Sequence, residues 1–69
     1  MTTAEYFAER TSQLRAGVLA RLAECRNPLT ATMLRVHLSA GMRELDRVLQ
    51  QLRKEGRIAT RRRYWYLVP

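Results

Sequence analysis

The chain has 69 residues, with 13 Lys or Arg against 6 Asp or Glu and a formal net charge of +7. So short a sequence has apolar side chains enough for one core, and burial on this scale rarely leaves more than roughly 3 to 5 kcal/mol of net stability without a disulfide, a metal or a partner subunit. One cysteine, Cys25, and one histidine, His37, exclude an internal disulfide and offer no zinc-like ligand set.

No apolar run approaches the ~20 residues needed to span a bilayer, and Glu5 and Glu9 stand where a signal peptide would carry basic residues. The expectation is a soluble cytoplasmic protein with no membrane partner, no cofactor and no evident small-molecule ligand. Its positive charge calls for a polyanionic partner. From Arg43 to Arg63 there are eight basic and three acidic residues, and from Gly56 onward four arginines and no acid. The binding surface is therefore expected in the C-terminal half.

Residues 3 to 25 contain no proline and carry an apolar stripe of Phe7, Leu14, Val18, Leu22 and Cys25 at helical spacings, with Thr11 its polar member. Thr2 and Glu5 have the spacing of a capping box. These features predict one long helix. Ser12 equally fits the cap of a second helix, which would leave residues 3 to 11 as a separate arm. Arg15, at the edge of the stripe, is expected to pack its stem and keep its head in water. Asn27 and Pro28 end the helix, and residues 28 to 30 have room for a very short strand.

Thr30 is placed to cap a second helix over residues 31 to 38, with Leu34 and Leu38 inward. Ser39, Ala40 and Gly41 interrupt it. Ser39 is a candidate cap for a third helix running from 40 or 41 to 55 and stopping at Gly56, which suits the left-handed C-terminal position. After Gly56 the pattern turns extended, and residues 64 to 68 (Tyr-Trp-Tyr-Leu-Val) read as a strand. Ile58, Trp65 and Leu67 should cover the helices while Tyr64 and Tyr66 face outward. The predicted fold class is mostly α with a small β-hairpin, an α+β arrangement of three helices.

Leu34, Leu38, Ala40, Leu45 and Val48 have the spacing by which two helices joined by a tight turn bury a shared face, and the run continues through Leu49, Leu52, Gly56 and Ile58 into the hairpin. The Leu-x-x-Leu-x-x-x-Gly-x-Ile stretch resembles the winged helix-turn-helix superfamily of bacterial transcription regulators. The resemblance covers about residues 13 to 68, and the terminal Tyr-Trp-Tyr-Leu strand is similar to that of small pilus-operon regulators. Two departures are Arg35, where a small residue is usual, and the turn glycine, displaced to Gly41. The resemblance implies sequence-specific double-stranded DNA binding in transcription regulation by a domain over 13–69, preceded by a helical extension over 1–12. A homodimer is the expected assembly. The fold alone equally suits a protein-protein interaction module without specific DNA binding.

The resemblance also implies that the third helix enters the major groove. Rotation by about 100° per residue from the inward Leu45, Val48, Leu49 and Leu52 puts Arg43, Arg47, Gln50 and Lys54 outward. Arginine suits guanine edges, glutamine adenine edges and lysine phosphate. An ordinary solvated helix face is the plainer reading of the same stripe. Arg61, Arg62 and Arg63 fall at the hairpin tip, where a wing would meet the backbone or the minor groove; the plainer alternative is a basic loop that aids solubility. Without an Asn-Gly or similar pair, the tip is expected to be wide, or disordered until it binds.

Cys25 is expected as a small core residue, His37 at the surface or its boundary, and Met33 and Met42 as gap fillers near the turn. Tyr6 and Phe7 are either ordinary packing or a dimer interface. No Gly-rich phosphate loop and no nucleophile with a base in pattern is present, so the chain is not expected to be an enzyme.

Overall fold

The computed structural model describes residues 2–25 and 27–69. The elements are α1 (Thr3–Glu24), β1 (Leu29–Thr30), α2 (Ala31–Leu38), α3 (Met42–Lys54), β2 (Ile58–Arg61) and β3 (Tyr64–Leu67). Three helices thus pack with a small antiparallel sheet in the order β1-β3-β2. The very short strand allowed for at residues 28 to 30 forms and joins the expected hairpin, Leu29 pairing with Trp65 and Thr30 with Tyr64. Among the described residues, no helix is long and apolar enough to cross a membrane.

α1 begins with the expected capping box. The Thr2 hydroxyl accepts from the Glu5 N–H at 3.1 Å, and the Thr2 N–H donates to the Glu5 carboxylate at 3.1 Å. The helix runs unbroken through Ser12, so no second cap forms there. Leu14, Val18 and Leu22 are buried. Phe7 continues their periodicity but is 57% exposed, and every residue from 2 to 9 is exposed, because the helix extends past the body that would cover it. Phe7 is therefore not part of the core, and ordinary packing does not account for Tyr6 and Phe7. Gly17 lies where α2 approaches: a Cβ at this position would come within 2.8 Å of Leu38 Cδ2. That close approach is a reason for a glycine in mid-helix, where it costs about 1 kcal/mol relative to alanine.

Thr30 caps α2 as expected, its hydroxyl accepting from the Met33 N–H at 3.2 Å. Ser39 does not cap α3. It ends α2 in the left-handed conformation (φ 50°), with its own N–H on Val36 O and the Ala40 N–H on Arg35 O. This double closure satisfies the Arg35 and Val36 carbonyls in the last turn of α2. It also turns the chain so that Ala40 enters the core, leaving the N-cap of α3 to Gly41, which supplies no side-chain bond. The other end of α3 closes in the same manner. Gly56 has the expected left-handed φ of 77°, its N–H bonds to Arg53 O at 3.0 Å, and the Arg57 N–H bonds to Leu52 O at 3.0 Å.

The core forms around one face of α3, on which Leu45, Val48, Leu49 and Leu52 are each at most 2% exposed. They join Leu14, Val18 and Leu22 of α1, Leu34 of α2, and Ile58 and Trp65 of the sheet in one cluster, with Leu38, Leu67 and Cys25 packed at its margin. Met33 and Met42, at 46% and 68% exposure, do not fill gaps at the turn; buried Ala40 occupies that place. His37 is exposed, as expected.

Arg15 differs from its expected role in one respect. Its head is not simply in water but pairs bidentately with Glu55, at 2.8 and 2.7 Å, and also reaches Gln51 Oε1 at 3.4 Å. The hydrogen bonds hold the Glu55 carboxyl below its usual pKa and raise that of Arg15 above its usual value, partial desolvation opposing both shifts. A carboxyl whose folded-state pKa is lowered stabilises the fold above its unfolded-state pKa, and the contribution disappears as pH falls through the folded value.

Two outcomes follow from this packing. Leu52→Ala should cost roughly 2 to 5 kcal/mol in chemical denaturation, a large share of the stability of so small a domain; unchanged stability would mean that α3 is rotated otherwise. Glu55→Gln should be slightly less stable than the parent at neutral pH, and the gap in melting temperature should close as pH falls through the lowered pKa of Glu55.

Candidate nucleic-acid interface

Burying four residues of α3 fixes which others meet solvent. Arg43, Arg47, Gln50 and Lys54 share an arc of about 60° opposite the buried face. Arg43, Arg47 and Lys54 are exposed, whereas Gln50 is half-buried and thus the least available of the four. Arg43 and Arg47 are one turn apart. Together with Phe7, Arg10, Thr11 and Glu44 they border a shallow depression between α1 and α3, so their end of the stripe lies beside the exposed half of α1.

Two of the carboxylates near this basic stripe are occupied. Arg10 Nε binds Glu44 at 3.2 Å, while Arg10 Nη2 donates to Ser39 O at 3.3 Å. Arg15 holds Glu55. Both pairs are partly exposed and contribute little to stability, but they draw negative charge toward α1 and leave the arginines of α3 less opposed. The sequence reading missed this function of Arg10. Nothing local signals it, since the two partners are 34 positions apart; the only hint for Arg15 was its place at the edge of the apolar stripe.

The second basic surface is the hairpin tip. β2 and β3 pair in register from Ile58↔Leu67 to Arg61↔Tyr64, which leaves only Arg62 and Arg63 to turn the chain. Both have positive φ, 52° and 73°, as the twist of a two-residue hairpin requires. The wide or disordered tip expected from the missing Asn-Gly pair is therefore not what forms. Pairing along both strands sets the loop length, and two arginines accept a conformation that disfavours a Cβ. Arg61, Arg62 and Arg63 are all exposed. On the strands, Ile58 and Trp65 are buried and Leu67 half-buried beneath the exposed Tyr64 and Tyr66, the alternation expected of them.

At the far end of α1, the Tyr6 and Phe7 rings meet edge to face at 5.5 Å with both side chains more than half exposed. Compared with known protein families, curated proteins and solved structures, the chain finds no match in any of the three.

The turn geometry yields a test of fold energetics. Replacing Arg62 by Asn and Arg63 by Gly supplies residues that tolerate positive φ, so the double variant should be more stable by roughly 1 to 2 kcal/mol in thermal or chemical unfolding. A less stable variant would show that the arginine side chains, and not the backbone, hold the turn.

Proposed function

We propose that this protein is a winged helix-turn-helix transcription regulator that binds double-stranded DNA sequence-specifically. In this reading α2 and α3 form the helix-turn-helix, α3 reads the major groove, and the β2–β3 hairpin is the wing on the backbone or minor groove. The observation that carries the proposal is the exposed arginine stripe of α3 with Glu44 and Glu55 tied to α1 by Arg10 and Arg15. The arginine tip of the hairpin adds a second cationic surface, and the element order places both after the same tight turn. Arg43 and Arg47 are the proposed base readers, Lys54 a phosphate contact and half-buried Gln50 a weaker reader. As proposed, the protein acts by binding and not by catalysis.

Self-association completes the reading. The exposed Tyr6–Phe7 pair lies on an arm whose charged side chains are Glu5, Glu9 and Arg10, and a second copy that covers these rings would set two readers on half-sites about one helical turn apart. A protein-docking module is the second reading. It is favoured by Met33 and Val36, three apart on α2 and 46% and 71% exposed.

Selection from random duplexes, followed by titration at several salt concentrations, decides between the readings. Replacing Arg61, Arg62 and Arg63 with alanine should weaken all duplexes alike and reduce the salt slope by about 0.9 for each phosphate no longer neutralised. Arg43→Ala or Arg47→Ala should cost on the order of 1 to 3 kcal/mol on the preferred site and relax discrimination at particular base pairs. No enrichment and no duplex binding at low salt would leave the docking module. Loss of preference in the tip variant alone would make the wing the reader.

A further inference from the structure

The outer face of the sheet carries two tyrosines that the duplex reading leaves unused. On β3, Tyr64 and Tyr66 point away from the core at 45% and 38% exposure, while Trp65 between them is buried. Register places Arg61 of β2 and Thr30 of β1 on either side of Tyr64, and small Ala59 opposite Tyr66. Tyr64, Tyr66, Arg61 and Arg62 border one shallow depression, whose rim among the described residues also includes Asn27 and Pro28. The outer face is therefore aromatic at its centre and cationic at one end. No acidic side chain occurs in the chain from Gly56 onward.

Rings and guanidinium groups in this arrangement suit a partner that is anionic and also presents flat apolar faces. A double helix presents phosphates and base edges, its base faces being stacked within. An unpaired strand presents both phosphates and base faces. The two tyrosines are about 6.6 to 6.8 Å apart along the strand, twice the ~3.4 Å step of a stacked nucleic-acid strand. Each ring can thus take a base of its own from an extended backbone whose phosphates lie toward Arg61 and Arg62.

We propose that the outer face of β3 is a stacking platform for single-stranded DNA, with Tyr64 and Tyr66 beneath successive splayed bases and Arg61 and Arg62 on the backbone. The choice of DNA over RNA rests on the duplex reading above, because the platform adjoins the tip assigned to duplex contact; the stacking itself does not depend on it. Recognition by stacking is indifferent to base identity, so the platform holds a strand that base readout by α3 does not select.

The test is fluorescence anisotropy of the full chain with a labelled 15-nucleotide oligothymidylate, which forms no duplex, alongside a labelled duplex and an oligouridylate of equal length, over a range of salt. Tyr64→Leu and Tyr66→Leu should each weaken oligothymidylate binding roughly five- to a hundredfold with an unchanged salt slope, since no charge is removed. Tyr64→Phe and Tyr66→Phe should bind within about twofold of the parent, because the ring is kept. Duplex affinity should not move in any of the four, and circular dichroism should match the parent. Leucine variants that bind the oligothymidylate like the parent would overturn the platform. So would phenylalanine variants that lose as much as the leucine ones, or a duplex affinity that falls in step. Tighter binding of oligouridylate would assign the platform to RNA and overturn the DNA choice. Failure of duplex selection with tyrosine-dependent oligothymidylate binding intact would refute the regulator reading and leave the platform standing.

Discussion

Burial of one narrow stripe on α3 is the constraint on which the rest of this small structure depends. Leu45, Val48, Leu49 and Leu52 are the only buried residues of a 13-residue helix that is otherwise polar apart from exposed Met42, so any arrangement that covered them differently would turn another set of side chains to solvent. α1 and α2 contribute Leu14, Val18, Leu22 and Leu34 to the cover, and the sheet contributes Ile58 and Trp65. Covering that face from several directions leaves the opposite arc free, and the composition of that arc is cationic.

Charge placement follows from the same packing. Once α1 lies along α3, Arg10 and Arg15 come within reach of Glu44 and Glu55. In half-exposed positions such pairs add little to stability. Their effect is on the field of the helix: Glu44 and Glu55 are engaged with partners on α1, which leaves Asp46 as the acidic side chain of α3 outside these pairs. Arg10 also bonds the carbonyl of Ser39, which links the charge arrangement to the turn between α2 and α3.

Features of the fold encoded within a few residues were legible in the sequence. The capping box of Thr2 and Glu5, the Thr30 cap, the Gly56 terminus and the alternation of Tyr64, Trp65 and Tyr66 all depend on near neighbours, and each forms as its residue types dictate. The outward arc of α3 was legible for a similar reason, since helical periodicity and one apolar stripe define it; the partial burial of Gln50 was not, because periodicity gives the direction of a side chain and not its exposure. Ser39, Arg62 and Arg63 are left-handed residues without the glycine that would announce them. Tertiary demands impose their conformations: entry of Ala40 into the core in one case, strand register in the other. Phe7 errs in the opposite sense. Its periodicity is correct, but the body of the protein ends before reaching it.

Strand order has a consequence for how the chain acquires its structure. β3 is the last element in the sequence and the middle strand of the sheet, pairing with β2 beside it and with β1 some 36 positions earlier at Leu29↔Trp65. During vectorial synthesis the helices emerge first, yet β1 has no neighbour, β2 has no hairpin and the α3 stripe lacks the Trp65 part of its cover until the ribosome has passed Leu67. Leu29, Ile58 and part of the α3 face therefore stay incompletely covered from the time each is made until β3 follows. Chaperone engagement and cotranslational degradation would act on this protein in that interval, before the central strand closes the sheet.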